Sequence, residues 1–474
     1  MDKGFEMTDI MLKAGMALGD NQEFGLKFSY HENDANISYR GLLLGDFEAG
    51  RTYNPAPDDA YLTDRTALDL NHVITFGERA TLTTLAYWSE VTRDYWRYDV
   101  DTAASDAAGR WVYQDTLTGN NRAFERYGVD SRLTFEHGLF GLASETEIGV
   151  RGLREESDDT RIRATRAQDR TGINDRHIVD SADSLALHAQ NRLVVTDRLA
   201  VTPGLRIEYY EQNRRILTDD NASAATSNTE VLPGLGATFD VTDVMQVYGG
   251  VYRAFAPATN GVALDGLTDQ NLEAERSDNF ELGIRGAYGA FGFEAAVFRM
   301  DFDNQVVTGN SDPNLSRSNA GKTLHQGAEL ALNYEFGNGF ALSGNLTYVP
   351  TAEFKSGDDA GNRVPYSPKL LANAALEYSR ADFRTALMMH HRGAQFGDAA
   401  NRRDIPDNAA GGIWGGRIDS HTLFDLTAQY DFSSSFTLFG AVKNLTDKRY
   451  ITGLRQGIYV GPERSFEIGA RYQL

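Results

Sequence analysis

Apolar and polar residues alternate with a period of two along most of this chain. In 199–209, Leu199, Val201, Pro203, Leu205, Ile207 and Tyr209 share one face against Thr202, Gly204, Arg206 and Glu208. In 328–336, Ala328, Leu330, Leu332, Tyr334 and Phe336 oppose Glu329, Asn333 and Glu335, and 340–348 repeat the pattern from Phe340 to Tyr348. Successive side chains of a strand point to opposite sides, so each run is a ribbon with one apolar and one polar face. The final run alternates to its last residue, with Phe466, Ile468, Ala470, Tyr472 and Leu474 on one side and Ser465, Glu467, Gly469, Arg471 and Gln473 on the other.

Nineteen such segments are predicted, beginning at 8–18 and 22–32 and ending in a trio within 420–474. Nine connections are short turns, among them GDN after residue 18, Gly77-Glu78, HGLFG and GNG. They alternate with nine long loops, including 96–124, the stretch from Asp158 to Asp180, and the stretch between 213 and 229. Long strands with turns at one end and loops at the other predict an all-β fold, a transmembrane up-and-down antiparallel β-barrel. A water-soluble all-β binding protein is the competing class; it would mix hairpins with cross-sheet connections and use shorter strands. Apolar faces that begin or end on Tyr or Phe suit an aromatic girdle at a membrane interface. An odd number of strands does not close antiparallel, so the expectation is that strands are missing at the N-terminal side.

Composition narrows the function. The 474 residues carry a net charge of −21 and no cysteine. An acidic chain lacks the basic footprint of a nucleic-acid partner, and the absence of cysteine removes thiolate metal sites, disulfides and Cys nucleophiles. No run approaches the roughly 18 apolar residues of a membrane-spanning helix, which says nothing against a barrel. The start, MDKGFEMTD, has neither the apolar core nor the cleavage site of a signal peptide. HExxH, P-loop and GxSxG patterns and paired catalytic carboxylates are absent, so no enzyme activity and no cofactor are expected.

Several motifs are specific. Lys443-Asn444-Leu445-Thr446-Asp447-Lys448-Arg449-Tyr450 resembles the N-L-x-D-x-x-Y signature of TonB-dependent outer-membrane receptors. Pro462-Glu463-Arg464-Ser465-Phe466 through Tyr472-Gln473-Leu474 resembles their last strand, with Leu474 where Phe is usual. Val251-Tyr252-Arg253-Ala254-Phe255-Ala256-Pro257, Leu272-Glu273-Ala274-Glu275 with Phe280-Glu281-Leu282-Gly283, and Gly327-Ala328-Glu329-Leu330 resemble further family elements. The opening half is more weakly similar to the ferric-citrate type of siderophore receptor. The resemblance implies a 22-strand barrel of which this chain supplies about 19 strands. Residues 1–474 would then be a barrel domain truncated at its N-terminal side, without signal peptide, TonB box or plug. It implies TonB-dependent import of a ferric siderophore, ferric citrate being one candidate, across the outer membrane of a Gram-negative cell. The implied partners are outer-membrane lipid, lipopolysaccharide, the ferric siderophore as ligand, and TonB, whose binding element would be missing. A plugless barrel would otherwise be a passive porin-like channel or a non-functional fragment.

Candidate ligand contacts are arginines, whose planar forks pair bidentately with carboxylates. Arg161, Arg163, Arg166 and Arg170, with Arg176, crowd the stretch from Asp158 to Asp180. Arg214, Arg215, Arg402 and Arg403 are further candidates, against the alternative that all of them pair with neighbouring acids or with lipopolysaccharide phosphates. Arg206 and Arg253 are expected in structural pairs. Adjacent His390 and His391 point to opposite faces and cannot share an ion, and with His325 they are expected to be scattered rim or lumen residues. Asp301, Asp303 and Asn304 lack the spacing of a calcium loop. Tyr95, Trp96, Tyr98, Trp111 and Tyr113 are expected to hold their loop together rather than to pack on a ligand.

Overall fold

The computed structural model describes residues 4–168, 170–270, 273–307, 318–319, 321–406 and 413–473. Leu272 and Leu474, both part of the motifs above, lie outside the described residues. Nineteen strands form one antiparallel sheet. They are β1 (Phe5–Ala17), β2 (Gln22–Ala35), β3 (Ala60–Phe76), β4 (Ala80–Val100), β5 (Tyr113–Leu139) and β6 (Leu142–Thr165). Then come β7 (Ile173–Thr196), β8 (Leu199–Ile216), β9 (Ala222–Thr242), β10 (Met245–Ala256), β11 (Glu275–Tyr288) and β12 (Phe291–Asp303). The chain continues with β13 (Thr323–Glu335), β14 (Phe340–Phe354), β15 (Leu370–Arg380), β16 (Phe383–Arg392), β17 (His421–Asp431), β18 (Phe436–Lys443) and β19 (Ser465–Tyr472). By contacts the chain divides into two units. One comprises Met1–Arg40, Gly50–Leu235 and Tyr252–Arg276; the other comprises Gly41–Ala49, Gly236–Val251 and Ser277–Leu474.

The alternation produces strands whose apolar side is turned outwards to the surroundings. In β8, Leu205, Ile207 and Tyr209 are 44, 42 and 46 % exposed. Between them Arg206 and Glu208 are half-buried and ion-paired at 2.6 Å, and Ser184 of β7 donates to Glu208 at 2.7 Å. In the other unit, β13 and β14 pair Leu330 with Leu346 and Tyr334 with Leu342, and all four side chains are exposed. A water-soluble sheet buries such a face; a contiguous exposed apolar belt belongs in lipid. The predicted turns are in place. Leu139 and Leu142 pair across a two-residue turn in which Phe140 (φ 54°) and Gly141 (φ 79°) are both left-handed, the geometry that matches strand twist.

Three predicted loops are not loops. Most of 96–124, of Asp158 to Asp180, and of 214–228 lies in strands, so that β4 to β9 run for 18 to 27 residues. About 10 residues of a tilted strand cross a bilayer, so these strands continue well past it as a raised ribbon. The ladder between β5 and β6 is unbroken from Thr116↔Thr165 to Leu139↔Leu142. The extension escaped hydropathy because both of its faces carry polar groups. Its outer face also holds a small apolar cluster of Ala60, Trp96, Leu117 and Ala164 with Tyr98 and Ile162. Gly119 lies under the Trp96 ring, where a Cβ would come within 2.6 Å of it.

The unit containing β12 to β19 builds its long connections differently. Leu42, Phe354, Ile413, Ile418, Leu454 and Ile458 are fully buried among them. Leu42 and Ile458 exchange backbone hydrogen bonds at 2.9 and 2.8 Å. The Tyr366 hydroxyl donates to the Leu454 carbonyl and accepts from its N–H. Asp398, with no exposure, accepts from the Gly416 N–H at 2.7 Å. The Arg363 guanidinium donates to the carbonyls of Val349, Pro350 and Ser367. The connections of this unit are therefore a folded body with its own apolar core.

Candidate ligand-binding face

In the unit holding β3 to β7, register brings the chemistry together. One row across the ribbon reads Thr63, Arg93, Arg122, Asp159. Two residues further along, and so on the same face, the next row reads Tyr61, Tyr95, Asn120, Arg161, Arg176. The third reads Arg97, Thr118, Arg163. Six arginines thus share one face of a chain whose net charge is −21.

Most of that charge is tied down. Asp159 holds Arg122 and Arg176, each at 2.7 Å. Asp175 holds Arg161 at 2.7 Å and Arg163 at 3.2 Å, and Arg163 also donates to the Thr118 hydroxyl. The two guanidinium groups, Arg161 first, keep the Asp175 carboxyl below the ordinary carboxylate range. Arg166, in a short 3₁₀ turn at the ribbon tip, pairs with Asp58 at 3.0 Å and lies 4.1 Å over the Tyr98 ring.

Beside this face lies an aromatic shelf. Arg97 stands 4.9 Å from the ring centres of both Tyr39 and Tyr95, and Arg40 stands over Trp111 and Tyr113. Tyr95 and Trp96 are buried, and the Tyr95 hydroxyl accepts from the Tyr39 N–H at 2.7 Å. Asp59, 1 % exposed, accepts from the Ser38 hydroxyl and from the Tyr98 N–H at 3.0 Å. Burial pushes its carboxyl up, against the hydrogen bonds and against Arg40 and Arg97. Burial likewise pushes the Arg40 guanidinium down. A cavity of ≈ 400 Å³ opens here, lined by Tyr53, Pro55, Asp58, Tyr98, Trp111 and Tyr113. These aromatic rings hold one another and the connection around them.

The arginines named from sequence are distributed as follows. Arg161 and Arg163 are on β6, Arg166 and Arg170 at the tip after it, and Arg170 takes a left-handed φ of 64°. Arg214 and Arg215 lie on β8 with opposite facings; Arg214 approaches Asp180 at 3.5 Å and Arg215 is exposed. Arg402 and Arg403 belong to the other unit, where Arg402 reaches Asp398 at 3.5 Å and Arg403 is exposed. Sequence reasoning missed Arg97 and Arg122, because their stretch, 96–124, was read as loop, and did not single out Arg93, which lies near the end of the predicted strand 79–95. The spacing Arg93, Tyr95, Arg97 is the signal that would have carried that strand on past Tyr95.

The remaining polar residues named from sequence are satisfied locally. Arg206 pairs with Glu208. His390 hydrogen-bonds with Asn373 and His391 with Thr422, one on each side of β16. Asp301 is held by Arg299 and Asp303 by Lys322. Among the described residues no group of three His, Cys, Asp or Glu side chains is placed to hold a metal ion.

Comparison with known proteins follows this geometry. A family described as "TonB dependent receptor-like, beta-barrel" matches residues 13–445. The ferric enterobactin receptor PirA of Pseudomonas aeruginosa is 30 % identical over 217 residues, covering 43 % of this chain and 26 % of that receptor. The probable TonB-dependent siderophore receptor PiuA of Acinetobacter baumannii is 24 % identical over 242 residues, covering 46 % of this chain and 30 % of its own length. The matches thus span less than a third of either relative. Among solved structures, the unliganded ferric citrate transporter FecA superposes with a TM-score of 0.87 at 22 % identity, covering 99 % of this chain and 70 % of that one.

Proposed function

The chain belongs to the TonB-dependent receptor β-barrel family and is an integral outer-membrane protein, and on that premise we propose that it serves the import of a ferric siderophore, with energy supplied through TonB. The observation that carries this reading is the family match over 13–445, joined to relatives named as siderophore receptors. The nineteen strands act as a contiguous share of a larger barrel. In support, the chain covers 70 % of the FecA structure, and Phe466, Ile468 and Tyr472 on the last strand are 74, 82 and 68 % exposed. The apolar belt faces outer-membrane lipid and lipopolysaccharide.

Arg161, Arg163, Arg166 and Arg170 at the ribbon tip draw in an anionic chelate, which exchanges with Asp175 and Asp58 for their guanidinium groups. Such exchange is feasible because partly exposed ion pairs are individually weak. Arg214 and Arg215 in the same unit, and Arg402 and Arg403 in the other, are secondary contacts. The test is retention of ⁵⁵Fe-labelled chelates by outer-membrane vesicles bearing the protein. Saturable retention of at least one chelate supports the reading. Retention no better than in vesicles lacking the protein, with large unregulated conductance in a planar bilayer, replaces it by a passive pore.

A further inference from the structure

The cavity of ≈ 400 Å³ next to the aromatic shelf does not belong to the arginine rows. Tyr98 on its wall shares a row with Leu117 and Ala164, and alternation sets that row on the face opposite Arg97, Thr118 and Arg163. The same outward face begins lower down at Trp88, whose cross-strand partners Leu68 and Tyr127 are 42 and 45 % exposed and close the apolar belt. Tyr98 follows Trp88 on β4, and at ~3.3 Å per residue it stands roughly 30 Å further along the strand. With the tilt of a barrel strand this is about 25 Å above the belt. That height is past the lipid and level with the sugar chains that the outer leaflet carries.

The walls are fixed by the backbone around them. The short helix Thr102–Ala108 is capped by Asp101, which accepts from the Ala104 N–H at 2.9 Å, and it stops at Gly109 with a left-handed φ of 61°. The Ser105 hydroxyl accepts from the Val112 N–H at 2.8 Å, which sets Trp111 in the wall. The Tyr113 hydroxyl donates to the Pro55 carbonyl at 2.6 Å. The Asn54 amide donates to the Asn36 carbonyl and accepts from the Ala56 N–H, both at 3.1 Å. A concavity formed in advance loses little ordering entropy when it is filled. Its chemistry disfavours two ligand classes. Guanidinium groups already stand over its rings, Arg166 over Tyr98 and Arg40 over Trp111 and Tyr113, and exposed Arg110 lines it too, which disfavours a cation. Asp58 and Arg110 in the same wall disfavour a wholly apolar group. A ring with apolar C–H faces and hydroxyls around its edge fits both conditions. Its C–H face packs on the electron-rich face of an aromatic ring, and its hydroxyls donate to a carboxylate and accept from a guanidinium. We propose that this cavity binds a pyranose ring of a surface glycan.

Calorimetry on the detergent-purified protein tests this with two probes: the polysaccharide released by mild acid from the lipopolysaccharide of the producing cells, and maltohexaose. Tyr53→Ala removes a lining ring, and Arg110→Gln removes an exposed lining cation whose loss leaves the fold intact. The expected result is saturable binding of the released polysaccharide, weakened about tenfold or more in each variant and undiminished by excess ferric citrate. Binding of maltohexaose alone, with the same dependence on Tyr53 and Arg110, keeps the pyranose site and makes a free oligosaccharide its source. Binding of neither probe, affinities unchanged in both variants, or displacement by ferric citrate overturns the proposal. Displacement would make the cavity part of the import face instead.

Discussion

The two units end their strands in opposite ways. In the unit of β3 to β7, the ladders run on past the apolar belt, and the extension is stabilised by cross-strand ion pairs such as Arg161–Asp175. In the unit of β12 to β19, the strands shown are 8 to 15 residues long, and the connections fold around Leu42, Ile413, Leu454 and Ile458. The first solution spreads charge over a regular face, where each group stands at a fixed spacing. The second spends its polar groups on its own backbone, as Arg363 does with three carbonyls. Among the described residues, guanidinium groups therefore stand in regular rows on one face of the ribbon.

This contrast can be broken most severely in the folded connections. Ile458→Ala removes a fully buried side chain and is expected to cost about 2–5 kcal/mol of local stability. Amide exchange of 451–460 should rise while the ribbon of β4 to β7 stays protected. Asp398→Ala orphans the Gly416 N–H, for an expected cost of about 1–3 kcal/mol, read as new protease cleavage confined to the same connections. The ribbon should respond less and in a pH-dependent way. The folded pKa of Asp175 lies below its unfolded value, so its contribution is complete above the unfolded pKa near ~3.9 and is lost as pH falls through the depressed folded one. Because its side chain is about one-third exposed, the loss is at most about 1 kcal/mol, seen as faster exchange at the β6–β7 tip in acid and abolished in Asp175→Asn. Least of all, Arg215→Gln should leave stability within about 0.5 kcal/mol.

The same contrast explains what could be read from sequence. Alternation such as Leu205, Ile207, Tyr209 against Arg206 and Glu208 exposes a strand wherever one face meets lipid, and the turns at Gly77, Gly141 and Gly289 carry their own left-handed signature. Beyond the belt that signal vanishes. Arg161, Arg163 and Arg176 read as a loop because the ribbon tip carries only a small apolar cluster on its outer face, although the β5–β6 ladder there is unbroken. Arg97 and Arg122 were lost in the same way. The folded connections were unreadable for another reason: Leu42, Ile413 and Ile458 come from distant segments, and only tertiary structure joins them.

The central claim, that the charged face of the ribbon unit receives a ferric chelate, meets its most direct test in tryptophan fluorescence. Trp88, Trp96 and Trp111 all lie in that unit. Titration of the purified protein with ferric citrate should give saturable quenching that is lost in Arg93→Gln and retained in Arg215→Gln. Quenching that rises linearly without saturation, or that is identical in Arg93→Gln, would contradict the claim.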